Sequence, residues 1–433
     1  MLLTCLLGIC LICGVAITPK KYRNITNTIY LFLLEWIVVM FLAKQKIYGL
    51  YDVSASVEQI VLIGCVAFLC GHIVSIVLRK YRFVAKRNSN RETFYSLRYE
   101  MLYVLGIVCV LYFLPQFIKA LGALLSGNSM NAIRLLVQDE TSGFSSGSKI
   151  KNLLSNFIVL PSATALEALC IADFWVGKKD KKLLIITATV VLFRIVSDAG
   201  RTPLVNLAMY LIFGYLVTHK RREIKSNREA KKDRKLVRRC SVIGLGIILI
   251  ISLARTSSTL SRQLYFYFAM SPVLFSQWKE AVDSANLVTY GLTSLNGYIF
   301  SIVYLVKNLL GLNYPKLLQS SYDMIAATDS VWKTIAQGGT AANAYVSAFW
   351  FMYTDYRIIG VIIGMLCYGY IVSRTYFKLI NQKNVYRLAI YLLLLQGVMF
   401  SFIRFPFAKP YYALAFIIIY LASRKRECID DLR

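Results

Sequence analysis

Histidine is nearly missing from this 433-residue chain, which has only His72 and His219. Two histidines leave no histidine-based metal cluster. The sequence also lacks GxxxxGK[ST], HExxH, GxSxG and any Cys/His metal-ligand spacing. Without these motifs, nucleotide-driven and zinc-driven chemistry have no footing, and no metal or cofactor is expected. Charge is scarce too: 17% of residues are charged, against about 25% in soluble domains. No internal repeat is visible, and inverted or parallel repeats are a common mark of transporters. Acids are outnumbered, 22 to 50, for a net charge of +28. That excess does not imply nucleic acid, because the basic residues sit in short loops between apolar runs.

What is abundant is apolar sequence, 57% of the chain. Much of it lies in runs of about 20 residues, the length that crosses a bilayer. The ten cysteines fall mostly inside such runs, where cysteine packs as a small hydrophobe. Cys10 and Cys13 form a CxxC inside an apolar helix and read as packing. Residues 2–18 are apolar, with Lys20, Lys21 and Arg23 after them rather than before. That order is wrong for a secretory signal and predicts a retained first helix with its N-terminus outside.

Ten more helices are expected, at about 26–43, 57–78, 99–122, 152–176, 183–197, 202–218, 241–254, 358–376, 386–402 and 410–422. Pro161 should kink the one at 152–176. With the N-terminus outside, the inward-facing segments hold 33 of the 50 Lys and Arg residues. This satisfies the positive-inside rule. The fold class is therefore all-α, a polytopic membrane protein of about 11 helices. Its parts are helices 1–8 in 1–254, an extracytoplasmic segment 255–357, and helices 9–11 with a tail in 358–433. Residues 288–310 read as an amphipathic helix on the membrane or re-entrant into it.

The outer segment gathers Arg255, Arg262, Glu280, Asp283, Asp323, Asp329, Lys333 and Asp355 among many tyrosines and tryptophans. Cations, carboxylates and aromatic planes together suggest a site for something anionic and sugar-like. Arg255 and Arg262, seven residues apart, share one helical face. Arg201 follows Gly200 and precedes Thr202-Pro203 in the turn of a helical hairpin, the makings of a phosphate-binding corner. Its bland alternative is an interfacial arginine paired with Asp198. Arg194, one turn inside its helix, needs a partner or a wet cavity, and Asp198 is the nearest candidate. Arg404 opens a short basic and aromatic turn through Lys409. Arg134, near Asp139 and Glu140, is a second anion candidate. Glu35 and Glu167 lie mid-membrane, each in a polar contact or on a substrate path. Asp355, between Tyr353 and Tyr356, is the first choice for a base, with Asp323, Asp329 and Glu280 behind it.

The layout resembles the Wzy-type oligosaccharide repeat-unit polymerases of capsule, exopolysaccharide and O-antigen assembly. The likeness covers most of the chain and rests on loose motifs. These are Thr18-Pro19 with Trp36, Gly64 and Gly71; the Gly200-Arg201 turn; and Tyr267 through Ser271-Pro272 with Gly291. The last is Tyr353-Thr354-Asp355-Tyr356-Arg357-Ile358-Ile359-Gly360 leading to Gly364 and Gly369. One departure is Ser145, flanked by Gly143 and Gly147, where an arginine–glycine spacing from Arg134 would have glycine.

The resemblance implies a metal-independent glycosyltransferase in the inner membrane of a bacterium. Its substrate would be undecaprenyl-diphosphate-linked oligosaccharide. Its partners would be the bilayer, the pathway's flippase and a chain-length regulator, with no nucleic acid. Arg201 and Arg255, with Arg194, Arg262 or Arg404, would neutralise the leaving diphosphate. Asp355 would orient or deprotonate the acceptor, Tyr267 and Tyr353 would stack on sugars, and Arg134 would bind a second anion. Rival readings are a flippase for the same lipid-linked oligosaccharide, an O-antigen ligase, and a membrane O-acyltransferase.

Overall fold

The structure is a computed structural model. It describes residues 2–85, 93–128, 132–133, 149–198, 200–219, 235, 238–239, 246 and 260–427. Apart from Gly246, the expected helix 241–254 lies outside the described residues, as do Arg134 and Arg255. The described chain is mostly helical, with two small antiparallel pairs of strands. Five helices are long and apolar enough to cross a membrane: Thr28–Gln45, Ala55–Arg79, Tyr99–Leu125, Lys151–Val176 and Ser347–Asn381. Shorter apolar helices are Leu2–Ile17, Thr202–Thr218, Val385–Met399 and Pro410–Ala422.

The chain divides into two compact units that interleave in sequence. The first comprises residues 1–89, 261–378 and 394–413; the second comprises 90–260, 379–393 and 414–433. In the first unit, α1 (Leu2–Ile17) packs on α2 (Thr28–Gln45) and α3 (Ala55–Ala85). Asn27 caps α2, its side-chain oxygen accepting from Ile29 N at 3.3 Å. His72 of α3 sits between Thr18 Oγ1 at 2.9 Å and Ser373 Oγ at 2.8 Å. The Thr18 hydroxyl donates to Gly14 O, so it accepts from His72. The imidazole therefore carries its proton on Nε2, and Nδ1 accepts from Ser373.

In the second unit, α4 (Tyr99–Leu125), α6 (Leu160–Val176), α7 (Lys181–Ser197) and α8 (Thr202–Thr218) pack together. A short helix, α5 (Lys149–Leu154), and a π turn, Ser155–Val159, precede α6. Pro161 occupies the first turn of α6. The sequence leads one to expect a kink at Pro161; what stands before it is this widened turn, a geometry that accommodates a proline ring and its missing donor. Asp173 closes the α6–α7 turn. It accepts from Tyr99 OH at 2.6 Å, Lys178 N at 3.0 Å and Asp180 N at 2.8 Å. Asp180 then caps α7.

The stretch expected as one outer segment contains α9 (Leu260–Ser284), α10 (Asn296–Leu310) and α11 (Lys316–Ser330). A hairpin of β2 (Lys333–Thr334) and β3 (Ala341–Ala342) follows. Helix α12 (Ser347–Asn381) then begins inside the expected outer segment and breaks at Tyr356–Arg357, where Arg357 has φ +54°. The break is a fold-back. A Cβ on Gly360 would fall 2.2 Å from Met352 O, and one on Gly364 would fall 2.6 Å from Met352 Sδ. In a straight helix Met352 and Gly360 would stand about 12 Å apart. Gly360 and Gly364, a GxxxG spacing, thus serve close packing, against the helix's own preceding arm. The second arm of α12 carries the expected helix 358–376, and α13 (Val385–Met399) and α14 (Pro410–Ala422) complete the apolar set.

Candidate functional site

Within the first unit, α9 and the fold-back of α12 bring four polar side chains together. Lys279 and Asp283 are one turn apart on α9, the spacing that lets a cation meet a carboxylate. Lys279 Nζ donates to Asp283 Oδ2 at 2.7 Å, and Tyr353 OH donates to Oδ1 at 2.9 Å. Arg357 Nη1 lies 3.0 Å from the same Oδ1. Both cations also sit over the Tyr353 ring, at 5.3 and 5.4 Å. Burial opposes the Asp283 charge, but Lys279, Tyr353 and Arg357 outweigh it and hold the carboxyl below its ordinary range.

A second cluster of the same kind joins α11 to the turn between α13 and α14. Arg404 reaches both oxygens of Asp329 through its two Nη atoms, and Lys409 Nζ donates to Oδ2 at 2.7 Å. Burial opposes the Asp329 charge, yet Arg404 and Lys409 hold its carboxyl below the usual range. Lys409 is pushed the other way from an ordinary lysine. Burial and repulsion by Arg404 lower its ammonium pKa against the pull of Asp329. The turn is fixed from the α10 side, where Asn296 Nδ2 donates to Ala408 O at 3.0 Å. Gly297 lets that contact form, since a Cβ there would lie 2.4 Å from Phe407 O.

Asp355 is buried at the end of the first arm of α12. Its Oδ1 accepts from Thr289 Oγ1 at 2.6 Å and Thr293 N at 3.0 Å, and its Oδ2 from Ser294 N at 3.1 Å. Three donors on one carboxylate tie the 289–294 turn to the fold-back. Arg262 donates to Thr340 Oγ1 at 2.9 Å and lies 5.9 Å above Tyr48 and 5.7 Å above Phe266. Tyr267 faces Tyr345 at 6.2 Å. Lys333 lies 4.2 Å over Trp278 and donates to Gln277 O.

Backbone strain concentrates in the same unit. Of eight described non-glycine residues with positive φ, seven belong to it: Lys46, Tyr48, Asn286, Tyr290, Ala344, Ser347 and Arg357. Side chains rarely adopt this conformation without a surrounding structure that enforces it, and such residues cluster at ligand sites.

The second unit holds the other arginines. Arg194 Nη1 lies 3.3 Å from buried Glu167 Oε1, and its Nε lies 3.7 Å from Asp198 Oδ2. The sequence singles out both Arg194 and Glu167 but does not join them. They are 27 residues apart on different helices, and only packing of α6 against α7 makes them neighbours. Arg201 is half-buried at the N-cap position just before α8, with Pro203 in that helix's first turn as expected.

Sequence reasoning missed Lys279, Arg357 and Lys409 as members of these clusters. The i,i+4 spacing of Lys279 and Asp283 was a usable signal; the fold-back that delivers Arg357 had none. Among the described residues, no group of three or more His, Cys, Asp or Glu is placed to hold a metal ion. Comparison with protein-family models, curated proteins and solved structures gives no match for this chain.

Proposed function

We propose that this chain is a bacterial membrane glycosyltransferase that polymerises undecaprenyl-diphosphate-linked oligosaccharide repeat units. The observation supporting the reading best is a repeated charge arrangement in the first unit. Asp283 is shared by Lys279 and Arg357, and Asp329 by Arg404 and Lys409, beside aromatic rings. Each cluster carries one more cation than anion. When the glycan leaves its carrier, the bond from anomeric carbon to phosphate oxygen breaks, and the diphosphate takes the electron pair. A fixed positive surplus stabilises that developing charge. The anomeric carbon bonds to a hydroxyl oxygen of the incoming unit, and the hydroxyl proton passes to a base.

In this reading Arg404 binds the diphosphate. Asp283, with one face toward solvent, is better placed than Asp355 to meet the acceptor hydroxyl. Asp355 keeps both oxygens on the 289–294 turn and acts as a positioning residue. Arg262, Tyr267 and Tyr353 face the sugars, and Arg194 and Arg201 of the second unit serve anionic groups near the α7–α8 turn. Arg255 and Arg134 keep the roles expected for them. The five long apolar helices, the four shorter ones, α7 and the stretch 241–254 together make the eleven crossings of this topology. The segment 255–357 then faces away from the cytoplasm. In it, α10 lies on the membrane, and Ile302, Leu305, Val306, Leu309 and Leu310 are its lipid side.

The test is the surface glycan of a strain lacking this protein, resolved on a gel. Single repeat units at the surface with long chains gone support polymerisation. Lipid-linked units trapped on the cytoplasmic face point to a flippase. Full-length chains with altered acylation point to an acyltransferase, and full-length chains never joined to the outer acceptor point to a ligase.

A further inference from the structure

A carboxylate gripped by more cations than it can neutralise resembles a ligand held in its absence. Arg404 presents two parallel Nη donors to the two oxygens of Asp329, and Lys409 adds a third donor to Oδ2. This fork geometry fits a phosphoryl group as well as it fits a carboxylate. Among the described residues, Asp329 is the carboxylate that forms ion pairs with both cations.

Asp329 is also poorly placed for its own helix. It lies in the last turn of α11, where the helix dipole disfavours a negative charge. Its side chain is the most exposed of the three, 34% against 14% for Arg404 and 28% for Lys409. An anion arriving from solvent therefore meets the carboxylate first and the cations behind it. The backbone around it is tied down. Asn343 Nδ2 donates to Asp329 O, and Ala344 N donates to Thr328 O at 2.7 Å. Rotation of the side chain alone would release both cations from the carboxylate without moving α11, leaving Arg404 Nη2 on Ala344 O at 3.4 Å.

We propose that Arg404 and Lys409 form a phosphoryl-oxyanion site that Asp329 plugs until a diphosphate displaces it. The inference rests on the reading of Arg404 as a diphosphate-binding residue. It adds Lys409 as a second ligand-binding cation and Asp329 as an internal competitor. A plug that is in place nine-tenths of the time weakens apparent affinity about tenfold. Removing it should return that factor.

The experiment measures binding of inorganic pyrophosphate to the purified full chain in a neutral detergent, by calorimetry and by thermal shift. Asp329→Asn should tighten binding about tenfold, while Arg404→Gln and Lys409→Gln should each weaken it at least fivefold. Unchanged or weaker binding by Asp329→Asn would make the cluster a structural ion pair and overturn the proposal. If Asp329→Asn does not yield folded protein, Lys409→Gln alone decides. It keeps the Arg404–Asp329 pair intact, and unchanged pyrophosphate affinity in it refutes the site.

A second arm repeats the titration in phosphatidylcholine vesicles with and without phosphatidylglycerol. Competition by phosphatidylglycerol that depends on Arg404 supports a site open to bilayer phosphates. Lack of competition supports one reserved for a diphosphate. Competition that survives Arg404→Gln counts against the site. None of these readouts needs turnover. A strain test that went against polymerisation would leave the binding result standing, and the reverse also holds.

Discussion

Gly71 of α3 should tolerate no side chain. Its missing Cβ points at the backbone of α12: a methyl there would lie 2.1 Å from Leu366 O and 2.7 Å from Tyr370 N. Gly369 makes the reciprocal approach, 2.2 Å from Phe68 O. An unstrained carbon–oxygen contact is about 3.3 Å or more, so Gly71→Ala must part the helices by about 1 Å. Backbone atoms cannot rotate aside as a flexible side chain would. Overpacking of this kind costs about 1–3 kcal/mol, while alanine in place of glycine returns up to about 1 kcal/mol of helix propensity. The net expectation is a loss of up to about 2 kcal/mol.

Gly122 of α4 provides the control, because a Cβ there meets nothing within 4 Å. Gly122→Ala should gain up to about 1 kcal/mol, so the two substitutions should differ in sign. Reversible unfolding in mixed micelles, followed by tryptophan fluorescence, gives both values. The double variant Gly71→Ala/Gly369→Ala should lose less than the sum of its singles, because once the helices have parted the second methyl adds little. A Gly71→Ala protein as stable as Gly122→Ala, or strict additivity in the double variant, would refute this account of the helix pair.

Other outcomes follow from the polar contacts. Ser401 accepts from Trp36 Nε1 and donates to buried Glu35 Oε2, both at 3.0 Å. Ser401→Ala should therefore destabilise by about 1–3 kcal/mol in the same unfolding assay, and Ser401→Thr by clearly less. Nitrogen NMR of His72 should report the Nε2–H tautomer, and an Nδ1–H signal would contradict the direction assigned to the Thr18 bond. Arg357→Gly and Arg357→Ala both remove the ion pair to Asp283, but only glycine relieves the positive φ. The glycine variant should be the more stable by about 1 kcal/mol or more. Asp283 and Asp329 are held below their unfolded pKa, which is about 3.9. Their stabilisation is thus complete above that value and fades as pH falls through the lower folded values. The stability difference between Asp329→Asn and wild type should therefore shrink as pH falls below the ordinary carboxylate range; a difference that instead changed between pH 6 and 8 would assign the effect to another group.

The apolar helices could be read from the sequence because each is a long apolar run, and apolar length is a local property; α9 and α11 are not such runs and were not read. The hairpin was legible for the same reason: 183–197 and 202–218 were expected, and Lys181–Ser197 and Thr202–Thr218 were found. Most of the stretch 288–310 forms a helix, α10, as expected, but its first residues serve as the turn that Asp355 holds. The fold-back of α12 was not legible. Ser347 to Tyr353 is as apolar as a membrane helix, and nothing in the local pattern marks a reversal at Arg357. The strand pair β1 (Thr93–Leu97) and β4 (Ser423–Glu427) was missed because its strands lie far apart in the sequence. The candidate site shows the same limit. Single residues such as Arg404, Asp329 and Arg194 stood out by type and position, but which carboxylate meets which cation depends on contacts between segments.

The two kinds of polar burial in the first unit differ in a way that bears on function. His72 and Asp355 are matched donor for acceptor by their neighbours, so removing any partner leaves a buried group unsatisfied, and their role is to fix geometry. Asp283 and Asp329 are over-supplied, each facing two cations, and both lie partly open to solvent. A matched network gains nothing from a new ligand, whereas a cluster with a charge to spare gains from any additional anion. In the function proposed above, the over-supplied pairs are the places that would receive a diphosphate and a sugar hydroxyl. The matched ones are the frame that keeps the α12 fold-back, and with it Tyr353 and Arg357, beside Asp283.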